Sequence, residues 1–286
     1  MPTIHRHIDI DGVTLFYRET RPTRPDAPVL LLLHGFPTAS HQFTRLMDAL
    51  GDDYRLIAPD YPGFGNTTAP DDFAYTFDTL ADTVEAFVEA IGLDRFAMYV
   101  FDFGAPVGFR LAQRRPDRVT GLVVQNGNAY TEGLTRAAQD FIALRPEDPK
   151  AETAIRGLLT LEGTRGQYLT GTRAPEHVSP DGWTLDQHFL DLPGRKEAQI
   201  ALAFDYHSNV ERYPAWQEWL RTRRPPALVL WGTGDPFFSA DGARAYLRDL
   251  PDAELRLYDT GHFALEEDLA GIAGEIGAFL GKLGSE

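Results

Sequence analysis

From Pro28 to Leu33 the chain is continuously apolar, and the run ends abruptly at His34-Gly35. A run this short, bounded by turn residues, fits a strand buried on both faces of a sheet. Such a strand requires helices above and below it, and the flanking sequence supplies them in alternation. His5 to Ile10 alternates, and Val13 to Glu19 is rich in strand formers. Beyond the apolar run, Ser40 to Leu50 reads as a helix and Arg55 to Ala58 as a strand. Thr76 to Ile91 places Phe77, Leu80, Val84, Phe87, Val88 and Ile91 at helical spacing. Phe96 to Phe101 reads as a strand, Gly104 to Gln113 as a helix and Val119 to Gln125 as a strand. This rhythm is that of βαβ units and predicts a mostly parallel sheet.

The rhythm breaks after Asn128. From about Tyr130 to Arg224 the chain is richer in Pro, Gly, Trp and charge, and its clearest helical stretch is Gly194 to Tyr213. Strand character resumes at Ala227 to Trp231, followed by a helix (Ala240 to Leu250), a strand (Glu254 to Tyr258) and a long amphipathic helix (Leu265 to Leu283). The expected organisation is a core over 1–129 and 226–286, interrupted by a helical cap over 130–225. A chain of 286 residues suits one such catalytic domain with an insertion.

Composition narrows the function classes. The net charge of −15 disfavours nucleic acid and anionic membranes as partners. The absence of cysteine excludes disulfides, thiolate catalysis and Cys-based metal sites. His5 and His7 alternate on a strand without a third ligand at metal-binding spacing, so a surface role is expected for them, and neither metal nor cofactor is expected. Met1 to Asp11 lacks a basic-then-apolar leader pattern. The longest apolar runs are too short to span a bilayer. The expectation is therefore a cytoplasmic protein that acts on a small, largely apolar organic molecule, with a homodimer expected on commonness alone.

The chemistry centres on Tyr99-Val100-Phe101-Asp102-Phe103-Gly104-Ala105. A strand ends at Asp102 and small residues follow, the layout of a nucleophile elbow, in which a tight strand-to-helix turn lifts one side chain above the sheet. Val100 stands where glycine is commoner. Aspartate also favours helix N-caps, so this segment alone supports two readings. Three others add weight. Leu33-His34-Gly35-Phe36-Pro37 would supply the Phe36 N–H, which with the Phe103 N–H would form an oxyanion hole. Leu230-Trp231-Gly232-Thr233-Gly234-Asp235 places an acid just past a strand. Asp259-Thr260-Gly261-His262-Phe263 places a histidine after the last strand. The chain order is nucleophile, acid, histidine.

In these segments the chain resembles the α/β-hydrolase family along nearly its whole length. Asp60-Tyr61-Pro62-Gly63-Phe64-Gly65 is similar to that family's Gly-rich loop after the fourth strand. The resemblance implies an α/β fold with a mostly parallel eight-stranded sheet, helices on both faces and an inserted helical cap. Aspartate at the elbow is similar to the branch that holds epoxide hydrolases, haloalkane dehalogenases and fluoroacetate dehalogenases.

A carboxylate is already anionic at neutral pH and needs no base for its first attack. Displacement at a saturated carbon would leave an alkyl ester on Asp102. His262 would then activate water, and Asp235 would orient His262. A halide needs only N–H donors as it leaves, whereas an opening epoxide needs a proton. Haloalkane dehalogenases usually carry Trp after the nucleophile and often Asn in the oxyanion loop; this chain has Phe103 and Phe36. Fluoroacetate dehalogenases carry arginines after the nucleophile and a His-Trp pair, and neither is present. Epoxide hydrolases favour the His-Gly-Phe-Pro loop seen here and use two cap tyrosines, one in a Tyr-Arg-Asn-like stretch. Asp205-Tyr206-His207-Ser208-Asn209 resembles that stretch with His-Ser in place of Arg. Tyr206 is thus the first proton-donor candidate and Tyr168 the second, with Tyr130 and Tyr213 behind them. Trp183, Trp216 and Trp219 either line the pocket or pack. His34 is expected to be structural. The expected function is epoxide hydrolysis to a diol. The alternatives are a haloalkane or haloacid dehalogenase, and a ligand-binding protein on this fold.

Overall fold

The computed structural model describes residues 3–284. Eight strands form one sheet: β1 (Ile4–Ile10), β2 (Val13–Glu19), β3 (Val29–Leu33), β4 (Arg55–Pro59), β5 (Phe96–Phe101), β6 (Val119–Gln125), β7 (Ala227–Gly232) and β8 (Glu254–Tyr258). Their order is β1-β2-β4-β3-β5-β6-β7-β8. The β1–β2 and β2–β4 pairs are antiparallel, and β4 through β8 run parallel. The core helices are α1 (Thr44–Leu50), α2 (Phe77–Ala90) and α3 (Gly104–Arg114). Six more lie between β6 and β7: α4 (Arg136–Ile142), α5 (Ala151–Leu158), α6 (Leu161–Leu169), α7 (Asp181–Leu190), α8 (Arg195–Asp205) and α9 (His207–Arg223). Helices α10 (Ala240–Asp249), α11 (Ala264–Glu267) and α12 (Leu269–Leu283) complete the chain. Among the described residues, no helix is long and apolar enough to cross a membrane.

Two-residue periodicity explains how the sheet divides its core. On β3, Leu31 and Leu33 join α2 and α3 on one face, while Leu30 and Leu32 join α1 and α12 on the other. On β5, Met98 and Val100 face the first cluster, and Tyr99 and Phe101 the second. All four leucines are fully buried, each contributing about 1.5–3 kcal/mol of hydrophobic stabilisation.

Three helices differ from the sequence expectation, each for a local reason. The stretch expected over Ser40 to Leu50 opens as a 3₁₀ turn, Ser40–Phe43, before α1. The stretch expected over Gly194 to Tyr213 is two helices that meet at Tyr206. There the Tyr206 N–H reaches only to the Ala203 carbonyl, three residues back. The neighbouring Asp205 carboxylate accepts the Phe77 N–H at 2.7 Å, tying this junction to the start of α2. The helix expected over Leu265 to Leu283 breaks at Asp268, which leaves helical geometry and caps α12 by accepting the Gly271 N–H at 3.1 Å.

Candidate active site

Strand β5 delivers Asp102 to the end of the sheet with φ of +47°. A side chain in this left-handed region is strained by roughly 1–3 kcal/mol, so the surroundings must hold it there. Two glycines make that geometry feasible. A Cβ on Gly35 would lie 2.4 Å from the Asp102 Cβ, and one on Gly104 would lie 2.1 Å from the Leu33 carbonyl oxygen. The unusual Val100 is accommodated from across the interface: a Cβ on Gly108 of α3 would lie 2.6 Å from the Val100 Cγ1. The small residue sits on the helix instead of the strand.

Phe103, not Asp102, occupies the N-cap position of α3. The Asp102 Oδ1 accepts the Phe36 N–H at 2.7 Å. The N-cap reading of this residue therefore fails. Burial pushes the Asp102 carboxyl above its usual range, opposed by His262 and by the Phe36 and Phe103 N–H groups, which favour the ionised form. The two expected oxyanion donors thus converge on this one carboxyl group.

His262 places Nε2 3.8 Å from the Asp102 Oδ2 and Nδ1 2.6 Å from the Asp235 Oδ2. The first distance exceeds a direct hydrogen bond. The second fixes the tautomer, with the proton on Nδ1. Burial alone would lower the His262 pKa, but the Asp235 and Asp102 carboxylates outweigh it and the net shift is upward. Asp235 is held in turn by the Asn126 Nδ2 at 2.7 Å and by the Phe237 and Phe238 N–H groups at 2.7 and 3.1 Å. The Asn126 Oδ1 accepts the Gly232 N–H at 2.9 Å, and the Gln125 Nε2 donates to the His262 carbonyl at 3.0 Å. Gln125 and Asn126 went unnoticed in the sequence. The one local signal is Asn126-Gly127 directly after a strand, a pair suited to positive φ, and Asn126 does adopt φ of +44°.

Asp102 and His262 open on a cavity of about 160 Å³. This is close to the ~150 Å³ of an apolar cavity that takes up benzene. Its walls are Phe36 and Phe103 from the core, Phe141, Leu158, Gln167 and Tyr206 from the insertion, and Phe237 and Phe238 after β7. The lining is apolar except for Asp102, His262, Tyr206 and Gln167, a pattern suited to a small organic ligand. Tyr206 packs against Phe103, Phe77 and Phe141. Burial, with the Tyr213, Asp102 and Asp235 charges adding to it, raises its pKa well above normal, so its hydroxyl keeps its proton at neutral pH.

Tyr168 is not brought to this cavity. Its ring stacks on Phe263 at 3.9 Å and its hydroxyl donates to Asp186 at 2.6 Å, which corrects its place as second proton donor. Tyr130 donates to Asp249, and Tyr213 accepts from Asn128. The tryptophans pack: Trp216 and Trp219 against Phe109, and Trp183 against Tyr168. His34 is fully buried, with Nδ1 donating to the Gly35 carbonyl and Nε2 accepting the Tyr61 N–H. Burial lowers its pKa to about 4, and it is a neutral brace for the oxyanion loop. Among the described residues, no group of three or more His, Cys, Asp or Glu could hold a metal ion.

Comparison with known proteins agrees with this fold. The model of the alpha/beta hydrolase fold matches residues 28–269. An uncharacterized hydrolase of Saccharomyces cerevisiae is 42% identical over 93% of each chain. Haloalkane dehalogenase 2 of Mycobacterium tuberculosis is 41% identical over 74% of this chain and 72% of its own. Epoxide hydrolase 2 of Caenorhabditis elegans is 23% identical over 92% of this chain and 76% of its own. Among solved structures, Cfl2 from Burkholderia cenocepacia superimposes with a TM-score of 0.81 at 24% identity, covering 97% of this chain and 96% of that one. With sheet order, elbow and matched sequence in agreement, the chain belongs to the α/β-hydrolase family.

Proposed function

We propose that the protein hydrolyses small, largely apolar epoxides to diols through an alkyl ester on Asp102, with the helical insertion acting as a cap over the site. The observation that carries this reading is a carboxylate, not a hydroxyl, at the elbow. It sits 2.7 Å from the Phe36 N–H and 3.8 Å from the His262 imidazole, at the floor of an apolar cavity that Tyr206 lines. In the first step the Asp102 Oδ2 attacks an epoxide carbon, the carbon–oxygen bond breaks, and the leaving oxygen takes the Tyr206 proton. In the second, His262 removes a proton from water, whose oxygen attacks the Asp102 Cγ. The resulting oxyanion is held by the Phe36 and Phe103 N–H groups. Collapse of this intermediate frees the diol, and the proton on His262 returns to the product alkoxide. The second water proton, left on the Asp102 carboxyl, passes to solvent, and the Tyr206 phenolate regains a proton from solvent, so both groups return to their starting states.

Dehalogenation on the same machinery is the second reading, favoured by the 41% identity to haloalkane dehalogenase 2. Against it, Phe36 and Phe103 carry no side-chain N–H for a halide, which leaves the Gln167 amide as the cavity's neutral side-chain N–H donor, whereas Tyr206 supplies the proton an epoxide needs. The deciding experiment is an intact-mass spectrum of His262→Gln after exposure to an aryl epoxide, a haloalkane and a haloacetate. The variant should accumulate an ester that is absent in the Asp102→Ala control. Its added mass should equal the whole epoxide; a mass short by HBr or HCl would favour dehalogenation. No adduct from any member of the panel would sink the aspartyl-ester reading.

A further inference from the structure

Gln167, near the end of α6, lines the same cavity as Asp102, His262 and Tyr206. It is only 5% exposed, and its Nε2 is buried without a hydrogen-bond partner. Its neighbours on α6 are satisfied: the Thr164 hydroxyl bonds Gln187 and the Tyr168 hydroxyl bonds Asp186. A buried amide donor left unpaired costs free energy that an apolar side chain of the same shape would not. Every other wall residue except Asp102, His262 and Tyr206 is apolar, so the rest of the wall offers the amide no partner.

We propose that Gln167 is a second hydrogen-bond donor to the leaving oxygen, completing a cradle with Tyr206; this rests on the aspartyl-ester reading above. An amide N–H cannot be given up at neutral pH. Gln167 therefore holds the oxygen as negative charge develops on it, while Tyr206 alone delivers the proton. The division of labour predicts the kinetics. The contact strengthens as the carbon–oxygen bond breaks, so it acts on the alkylation rate constant more than on substrate affinity.

The test uses the His262→Gln protein, in which alkylation is the last step, with an aryl epoxide as probe and intact mass as the clock. Adding Gln167→Met, which keeps the length of the side chain and removes its donors, should slow alkylation roughly 10- to 100-fold, the worth of one hydrogen bond to a charged atom. The concentration giving half the maximal rate should change little. The same substitution should leave Tm unchanged or raise it, because an unpaired buried amide is removed. Gln167→Glu should restore the rate only at pH values low enough to protonate its carboxyl, since the ionised carboxylate donates nothing. An unchanged alkylation rate in Gln167→Met would overturn the proposal while leaving the ester reading intact, and so would a fall in Tm, which marks a structural residue. No adduct in the His262→Gln parent would instead remove the ester reading and this inference with it.

Discussion

At the scale of single residues, the site is a balance of charges. The His262 pKa is raised because two carboxylates, Asp235 and Asp102, outweigh the opposing effect of burial. In the proposed mechanism, esterification of Asp102 removes one of them. Once Asp102 is an ester it carries no charge, and the pKa of His262 should fall at the moment the residue must act as a base. The sign follows directly. Losing an adjacent anion favours the neutral imidazole, so ester hydrolysis extends to lower pH than titration of the free enzyme would suggest. Asp102→Asn imitates this neutralisation without changing shape. Following the imidazole by NMR, His262 in Asp102→Asn should titrate at lower pH than in the unaltered protein. Equal values would mean that Asp102 does not couple to His262 across the 3.8 Å gap. The residues that set this balance differ in how legible they are. Asp102, Asp235 and His262 each follow a strand in an order that the chain itself displays. Asn126 and Gln125 act through bonds to residues more than one hundred positions away, and no local spacing announces them.

Among elements, the contact of β5 with α3 carries the elbow. Glycine to alanine in the middle of a helix ordinarily stabilises by about 0.5–1 kcal/mol. Gly108→Ala should do the reverse here, because its Cβ would meet the Val100 Cγ1 at 2.6 Å. Overpacking of this kind typically costs about 1–3 kcal/mol. Val100→Ala removes the clashing methyl, so the double variant should recover part of the loss, with a coupling of about 0.5–3 kcal/mol between the two sites. Urea denaturation of the four proteins of the cycle measures it, and strictly additive effects would disprove the exchange of small residue between strand and helix. The sequence displayed half of this arrangement. Val100 stood out as a departure from the usual glycine, but its compensation at Gly108 needs the packing of two elements. The break at Tyr206 was hidden for a similar reason: Asp205 bonds the Phe77 N–H, and that partner lies 128 positions away. The strands fared better, since four consecutive buried leucines have few other places to go.

For the whole molecule, the question is whether the six inserted helices are a separate layer or part of the same core. Their local sequence, poor in long apolar runs, reads as an appendage, which is why the insertion was the least legible region. The packing argues otherwise. Leu202, Tyr206, Tyr213, Trp216, Trp219 and Leu220 join one continuous apolar cluster with Val100, Phe103 and Phe109 of the core. Arg110 of α3, a buried side chain, adds a polar tie at the same seam. It donates to the Asp78 carboxylate at 2.6 Å, the Asn209 Oδ1 at 2.7 Å and the Ser208 hydroxyl at 3.2 Å, joining α2, α3 and α9. Detaching the insertion while α2 and α3 stay folded would keep the Arg110–Asp78 pair but break the Asn209 and Ser208 bonds and bare the shared apolar cluster to water. The insertion should therefore not melt alone. Chains of this size often unfold through intermediates, so a single transition is a demanding expectation. The tryptophans supply the means to check it. Trp183, Trp216 and Trp219 report on the insertion and Trp231 on the sheet, whereas far-ultraviolet circular dichroism reports on all the helices together. In urea, the two signals should share one midpoint and one slope. An earlier fluorescence transition would show that the insertion detaches first and that the seam at Arg110 is weaker than the rest of the core.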